Sequence, residues 1–260
     1  MKLRDALWEA ERKLAAAGID TPRVDAELLL AHVAGTTRSG LYADLDRDIG
    51  TAWEPLLARR LTREPLAYVL GEWGFRRLTF RTDARALVPR PETEVVVERA
   101  LALLEGIELP RVLDIGVGSG AIALALKDER QDAHVVGVDV SPDALSLARE
   151  NAELLGLDVE LREGDVGDAA SGWDLVVSNP PYVDTLEGLQ PELRHEPERA
   201  LLGIGFHESI ARTARTRFLV LEVGDGQARQ VADKLADAGY RDVTITPDLV
   251  GIDRVVEGTR

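Results

Sequence analysis

The segment Trp173-Asp174-Leu175-Val176-Val177-Ser178-Asn179-Pro180-Pro181-Tyr182 decides the fold of this 260-residue chain. Its short β-branched run, from Asp174 to Val177, predicts a buried parallel strand. Two prolines end the strand, because neither has an N–H to donate and each restrains the residue before it. Ligands bind at the carboxyl ends of strands in an open α/β sheet, so we expect Asn179 to lie at a binding site.

The residues after this strand suit the capture of a planar NH2 group. The Asn179 side-chain oxygen and the Pro180 carbonyl oxygen can each accept one hydrogen of an amide or of an exocyclic amine. Pro181 follows in the same turn, and Tyr182 offers a flat face for stacking. Such a nitrogen is a weak nucleophile, so a site must position it and stabilise the change in charge as it attacks. A plain turn in which Tyr182 only packs is the alternative.

Composition limits the class of protein. At 45% hydrophobic and 30% charged residues, the chain has the make-up of an ordinary globular protein with one large or two small domains. It has no apolar run long enough for a membrane span and no signal-peptide pattern, so we expect a cytoplasmic protein. The absence of cysteine excludes disulfides and thiolate metal sites, and four scattered histidines make no metal-ligand cluster. The net charge of -15 disfavours stable nucleic-acid binding.

Residues 1–70 read as a small bundle of amphipathic helices. Leu3, Leu7, Ala10 and Leu14 recur at helical spacing, and Gly18 ends that segment. Thr21 is predicted to cap a second helix, with Pro22 at its first position and Gly35 as its stop. Further helices are predicted over 37–45 and 51–62. The bundle either packs against the rest of the chain or grips a protein substrate.

Beyond the bundle, residues 71–90 predict a connecting β-hairpin, and residues 91–260 predict a domain of alternating strands and helices. The hairpin rests on Phe75, Leu78, Phe80 and Leu87-Val88. A helix from Glu92 to Leu104 follows. Strands are then expected at 111–115, 133–138, 159–162, 174–177 and 218–223, with helices at 119–127, 142–155 and 227–238 and a closing hairpin at 243–245 and 254–256. This βαβ alternation predicts a doubly wound, mostly parallel sheet.

A glycine-rich loop, Asp114-Ile115-Gly116-Val117-Gly118-Ser119-Gly120, joins the first strand of this sheet to its helix. Its glycines allow a sharp turn and a close ligand approach. Asp139 ends the next strand, where a carboxylate can accept both hydroxyls of a ribose. The loop also satisfies a loose dinucleotide pattern, so a nicotinamide enzyme is an alternative. Asp114 instead favours a ligand with a cationic amino-acid end, and Asp165 would place another carboxylate near an adenine amine. Both features together suit S-adenosylmethionine.

The chain resembles the HemK/PrmC-type release factor glutamine methyltransferases along nearly its whole length. The resemblance is carried by these segments: Thr21 to Leu29, Glu64 to Gly71, Leu87-Val88-Pro89-Arg90-Pro91-Glu92-Thr93-Glu94, the glycine loop, Ser178 to Tyr182, and Gly251 to Val256. It implies a class I, Rossmann-like methyltransferase that uses S-adenosylmethionine to methylate N5 of the glutamine in the Gly-Gly-Gln motif of class I peptide release factors. It also implies cofactor contacts at Gly116 to Gly120, Asp139, Val166 and Asn179, and substrate contacts from Asn179 to Tyr182.

The chain departs from the family pattern in several places. Val166 stands where an aromatic residue is common, and Val117 where a small hydroxyl residue is common. Leu201 to His207 replaces a usual Gly-Gly-x-Asp-Gly-Leu run, and 211–217 is shorter than its counterpart, so no functional residue is assigned in 201–217. A ribosomal-protein glutamine methyltransferase, an adenine-N6 nucleic-acid methyltransferase and a non-enzymatic binder of a translation factor are the alternatives. A monomer is expected.

Overall fold

The computed structural model describes all residues from 1 to 260. They form two compact units. The first comprises Met1–Glu72 and Leu189–His195, and the second comprises Trp73–Gly188 and Glu196–Arg260. A short stretch from the middle of the chain therefore belongs to the N-terminal unit.

The first unit is helical. It contains α1 (Leu3–Ala16), α2 (Pro22–Ala34), α3 (Glu54–Leu61) and α4 (Leu66–Leu70), with short 3-10 helices at Gly40–Ala43 and Pro191–His195. The apolar stripe of α1 is buried, and Trp53 and Leu57 join the same core. Pro22 begins α2, and Gly35 ends it with φ of 62°, a left-handed conformation that costs glycine least.

Three local predictions for this unit differ in part from the structure. Residues 37–45 hold only a short 3-10 helix, since the Thr37 hydroxyl accepts the N–H of Gly40 and supports a turn. The helix predicted from 51 begins at Glu54, after a turn over 51–53. Thr21 precedes α2 without a side-chain capping bond, because its hydroxyl donates to Asp25 Oδ1 at 2.7 Å.

Buried charges also hold this unit together. Arg60 on α3, only 6% exposed, lies 2.7 Å from Asp25 on α2 and 3.0 Å from Glu192. Glu192 also pairs with Arg63 at 2.8 Å. These pairs fix residues 189–195 to the helices, since a buried arginine left without partners would be strongly destabilising.

The second unit starts within a two-stranded hairpin, β1 (Glu72–Phe75) and β2 (Leu78–Arg81). Leu87 and Val88 lie outside it, contrary to prediction. The remaining elements are α5 (Glu94–Leu103), β3 (Arg111–Ile115), α6 (Ala121–Glu129), β4 (His134–Asp139), α7 (Pro142–Leu155), β5 (Glu160–Glu163), β6 (Trp173–Ser178), α8 (Glu198–Leu201), α9 (Phe206–Thr213), β7 (Thr216–Glu222), α10 (Ala228–Asp237), β8 (Arg241–Pro247) and β9 (Asp253–Thr259).

The seven-stranded sheet has the order β5-β4-β3-β6-β7-β9-β8. The first five strands in this order are parallel, and β9 is antiparallel to both of its neighbours. The chain winds outward from β3 through β4 to β5, and in the other direction from β6 to β7. The strand order thus reverses between β3 and β6, and a ligand crevice is expected at the carboxyl ends of these two strands. The predicted doubly wound, mostly parallel sheet is confirmed.

Alternate residues of the central strands enter two separate cores. Val112, Leu175 and Val177 pack with α5, α6 and α7, whereas Leu113 and Val176 pack with α9 and α10. The sheet is therefore covered on both faces, which explains why its strands read as continuous apolar runs. None of the helices combines the length and the apolar composition that crossing a membrane requires.

Candidate active site

A pocket of about 1130 Å³, part of it open to solvent, lies at the carboxyl ends of β3, β4 and β6. Most of the sequence-predicted site residues line it: Gly116, Val117, Gly118, Ser119, Asp139, Asp165, Val166, Asn179, Pro180 and Pro181. Asp114, Gly120 and Tyr182 do not. The crevice expected at the reversal of strand order is thus present, and it brings the glycine loop and the Asn-Pro-Pro turn into one site.

The glycine loop presents its backbone to the pocket. Gly116 has φ of 73° and Gly118 has φ of 55°, which side-chain-bearing residues rarely adopt. The N–H groups of Gly116 and Val117 donate to the carbonyl of Val138 at 2.8 and 2.9 Å, which holds the loop against the end of β4. The Val117 side chain is buried against Gly137, where an added Cβ would lie 2.6 Å from Val117 Cγ2. Valine at 117 is therefore an anchor of the loop.

Asp139 connects the glycine loop to the start of α7. Its Oδ2 accepts the N–H of Gly118 at 3.0 Å, and its Oδ1 accepts the N–H of Ser141 at 2.9 Å. Ser141 in turn caps α7 through the N–H of Ala144 at 3.4 Å. Asp139 thus shapes the loop as well as lining the pocket, and its remaining lone pairs can accept a diol.

Asp114 lies beneath the loop, with 1% of its surface exposed. Its Oδ2 accepts the N–H of Ala123 in the first turn of α6 at 3.1 Å, while its Oδ1 has no hydrogen-bond partner in the protein. Burial, with a smaller contribution from nearby Asp139, raises the pKa of Asp114 to about 7. The carboxyl group can therefore act on a ligand in the pocket only through its charge or through a donor that reaches Oδ1.

Asp165 and Val166 close the end of the pocket beyond β4. Asp165 Oδ1 accepts the N–H of Gly167 at 2.7 Å, and the N–H of Asp165 donates to Asp168 Oδ2 at 3.0 Å, so the residue caps the short 3-10 helix Val166–Ala170. Val166 is half-buried and presents an apolar surface to the pocket. Sequence patterns did not predict this capping role.

Asn179 is fixed by two residues that the sequence reasoning missed. Its Nδ2 donates to Thr93 Oγ1 at 3.2 Å, and the Thr93 hydroxyl donates to Glu222 Oε2 at 2.6 Å. Thr93 precedes α5 and lies in the Pro-Arg-Pro-Glu-Thr-Glu run, and Glu222 ends β7. Thr93 is 4% exposed and Glu222 is 1% exposed, so the bond between them lies out of water, whereas the bond from Asn179 to Thr93 is partly buried.

Tyr182 lies behind the pocket wall. Its ring stacks on His207 with centroids 6.5 Å apart, and its hydroxyl donates to Glu222 Oε1 at 3.4 Å. Its carbonyl oxygen accepts from Gln227 Nε2 at 2.9 Å. Burial and the neighbouring Glu222 raise the pKa of the Tyr182 phenol, so the phenol remains protonated and can donate. The segment 201–217, to which no role was assigned, thus supplies His207, and Phe206 from the same segment lines the pocket.

A further side chain missed from the sequence joins the hairpin to the glycine loop. Asn151 on α7 is fully buried. Its Oδ1 accepts the N–H of Arg81 at 2.7 Å, and its Nδ2 donates to the carbonyls of Arg81 at 3.2 Å and Ser119 at 2.9 Å. An asparagine at a buried helix position, where an apolar residue is usual, is the signal that could have identified it.

The pocket fits S-adenosylmethionine. Glycines at 116 and 118 leave open the space that a side chain would fill, and Asp139 offers carboxylate oxygens for a ribose diol. Val140 and Val166 supply apolar surface for a base. The Asp114 carboxyl group, buried beneath the glycine loop, would ionise more readily beside a ligand with a cationic end. No cluster of His, Cys, Asp and Glu side chains could hold a metal ion.

Comparisons with known proteins agree with this fold. The fold and the pocket define a class I S-adenosylmethionine-dependent methyltransferase. The catalytic domain of hMettl16 in complex with a MAT2A 3'UTR hairpin shares this fold, with a TM-score of 0.57 and 16% sequence identity over 78% of this chain and 81% of that chain. Family models for the PrmC N-terminal domain and the methyltransferase small domain match residues 5–71 and 97–197.

Two relatives are named release factor glutamine methyltransferase. The protein of Deinococcus radiodurans is 43% identical, with 100% of this chain and 99% of the relative covered. That of Geobacter sulfurreducens is 41% identical, with 94% and 92% covered. The chain belongs to the release factor glutamine methyltransferase family.

Proposed function

We propose that this protein transfers the methyl group of S-adenosylmethionine to the side-chain amide nitrogen, N5, of the glutamine in the Gly-Gly-Gln motif of class I peptide chain release factors. The observation that carries the proposal is the placement of Asn179 and Pro180 in the wall of the same pocket as Asp139 and the glycine loop. An acceptor pair for an amide and a cradle for an adenosyl group thus share one space. Family membership over the full chain supports the release factor as the protein substrate.

In the proposed mechanism, the chain binds and orients both reactants. The glycine loop and Asp139 would hold the adenosyl and amino-acid parts of the cofactor, and Asp165 and Val166 would contact its adenine base. Asn179 Oδ1 and the Pro180 carbonyl oxygen accept the two N–H bonds of the substrate amide, which directs the nitrogen lone pair toward the methyl group. Pro181 keeps the turn rigid. When bound, S-adenosylmethionine supplies an electrophilic methyl group and leaves as a neutral thioether. The amide nitrogen gains the methyl group and loses one proton to water.

We also propose a role for each part of the chain. Residues 1–70 recognise the release factor, residues 71–90 connect, and residues 91–260 carry out transfer. The protein acts in the cytoplasm as a monomer. It binds no nucleic acid stably, which the net charge of -15 supports because phosphate contacts depend on Lys and Arg.

The test is to incubate the protein with isotope-labelled S-adenosylmethionine and, in separate reactions, a class I release factor, ribosomal proteins, DNA and RNA. We expect label on the release factor only, and mass spectrometry of its peptides should place one methyl group on the glutamine of Gly-Gly-Gln. A release factor with that glutamine changed to alanine is the matched control. Label on ribosomal proteins or on adenine would favour one of the alternative methyltransferases. Cofactor binding without any transfer would favour the non-enzymatic binder.

A further inference from the structure

A chain of hydrogen bonds links Asn179 to a buried carboxylate that does not line the pocket. Asn179 Nδ2 donates to Thr93 Oγ1 at 3.2 Å, and Thr93 Oγ1 lies 2.6 Å from Glu222 Oε2. The other oxygen of Glu222 accepts the Tyr182 hydroxyl at 3.4 Å. One carboxyl group therefore contacts Tyr182 directly and reaches Asn179 through a single hydroxyl.

The direction of these bonds follows from counting hydrogens. An ionised carboxylate can only accept, so the Thr93 hydroxyl must give its one hydrogen to Glu222. Oγ1 then has only lone pairs left for Asn179. It must be met by the Asn179 NH2 group, and the amide oxygen of Asn179 is left for the substrate. Polarisation along such a chain strengthens each bond in a low-dielectric interior.

We propose that Glu222 is a positioning residue which, acting through Thr93, holds the Asn179 amide with its oxygen free for the substrate and at the same time fixes the Tyr182 ring. The inference rests on the proposed function, since it assumes that Asn179 accepts the N–H of a substrate amide. It adds two residues to the machinery, neither of which lies in the Asn-Pro-Pro-Tyr turn.

The protonation state of Glu222 decides whether this arrangement exists. The groups that face it are Arg254 on β9, which favours the carboxylate, and Glu92, which disfavours it, together with the hydroxyls of Thr93 and Tyr182. His207 Nε2 lies 2.8 Å from the backbone oxygen of Glu222; Lys234 is near His207, and Arg90 is near Tyr182. Burial is the largest influence and raises the pKa of Glu222 to about 7.

The sign of the pH dependence follows. Above pH 7, Glu222 is ionised, Thr93 donates to it, and Asn179 presents its oxygen. Below pH 7, the protonated carboxyl can donate to Thr93, which frees the Thr93 hydrogen for the Asn179 oxygen. The Asn179 side-chain amide can then rotate by about 180° and present its NH2 group to a substrate amide that also offers NH2. Turnover by the parent protein should therefore fall as pH decreases through about 7.

The experiment measures kcat and KM with a Gly-Gly-Gln release factor, and the affinity for S-adenosylmethionine, across about pH 6 to 8.5. This range brackets the pKa of Glu222, which is about 7. Thr93→Val keeps the shape but lacks the hydroxyl, and Thr93→Ser keeps the hydroxyl. We expect Thr93→Val to lower kcat about tenfold, the size of one lost hydrogen bond, with little change in cofactor affinity. Thr93→Ser should stay close to the parent. Glu222→Gln should lose the acidic limb of the kcat profile.

Glu257→Gln is the matched control. Glu257 is a second buried strand carboxylate, 3% exposed, paired with Arg99 at 2.6 Å and not bonded to Asn179. It should keep the parent pH profile. A Thr93→Val protein with parent kcat, a Glu222→Gln protein that retains the limb near pH 7, or a parent kcat independent of pH would each overturn the inference. Failure of the parent to methylate the release factor at any pH would instead refute the proposed function.

Discussion

Replacing Asn151 with alanine should destabilise the second unit and loosen cofactor binding together. The Asn151 side chain is fully buried, and it forms hydrogen bonds with both Arg81 on β2 and Ser119 in the glycine loop. Alanine removes all three hydrogen bonds and leaves the N–H of Arg81 and the carbonyls of Arg81 and Ser119 without this partner. Alanine adds no charge and has a higher helix propensity than asparagine, so any loss of stability comes from the lost hydrogen bonds.

The magnitude follows from the burial of each group. The bond to the Ser119 carbonyl lies in the interior, whereas both bonds to Arg81 are partly open to water. A buried polar group left unpaired costs about 1–3 kcal/mol, and a partly exposed one costs less because water replaces the partner. The sum is about 2–4 kcal/mol. At about 2–4 °C per kcal/mol for a domain of this size, Tm should fall by about 4–16 °C.

The assay pairs thermal unfolding with calorimetric titration of S-adenosylmethionine. Ser119 lines the pocket, so freeing its carbonyl should also weaken cofactor affinity measurably at a temperature where the variant is fully folded. Glu153→Ala, at an exposed position of the same helix, controls for changes in helix propensity and should alter neither quantity. An Asn151→Ala protein with the parent Tm would show that the three bonds contribute nothing net. A lowered Tm with unchanged cofactor affinity would show that the glycine loop does not depend on them.

Four further outcomes are expected. Asp139→Ala should weaken S-adenosylmethionine binding about 10- to 100-fold by calorimetry, since it removes a charged acceptor of the pocket along with the bonds to Gly118 and Ser141; unchanged affinity would remove it from the site. Asn179→Ala should lower the rate of release factor methylation by about 10²–10³-fold with a much smaller change in cofactor affinity; parent turnover would refute its role. Burial raises the pKa of Asp114 to about 7, so the native protein retains a proton that the unfolded chain releases, and stability should fall as pH rises from about 4 to 7; Tm of Asp114→Asn across that window should fall less than that of the parent. Trp8, a large side chain 64% exposed on α1, should contact the release factor, so Trp8→Ala should raise KM for the intact protein and leave methylation of a short Gly-Gly-Gln peptide unchanged.

The sheet could be predicted because its strands are covered on both faces and therefore read as uninterrupted apolar runs. Local chemistry also located several boundaries well: Ser141-Pro142 begins α7, and Gly156 ends it with φ of 65°. The failures have equally local causes. The prediction of a helix over 37–45 did not allow for the Thr37 hydroxyl, which accepts the N–H of Gly40. The helix predicted from Ser119 begins at Ala121, because Gly120 has φ of 89°.

The polar residues behind Asn179 could not be found by searching for motifs, because their meaning depends on strand order. Thr93 is 86 residues from Asn179, and Glu222 is 129 residues from Thr93. Patterns along the chain therefore give no indication that the three side chains meet. The pairing of β6 with β7 brings Asn179 and Glu222 to the same edge of the sheet, and Thr93, just before α5, bridges them.

A weaker signal was nevertheless present in the sequence. Glu222 ends a strand of consecutive apolar residues, Phe218 to Leu221, and a charged residue at the carboxyl end of a buried parallel strand is a candidate for the ligand-binding edge. β6 and β7 are parallel with Ser178 opposite Leu221, so the next residue of each strand, Asn179 and Glu222, emerges at the same edge. Once two neighbouring parallel strands and their register are predicted, the polar residues that stand level with each other at their carboxyl ends can be considered as a pair. That reasoning would have joined Glu222 to Asn179, but the hydroxyl of Thr93 that bridges them still requires the structure.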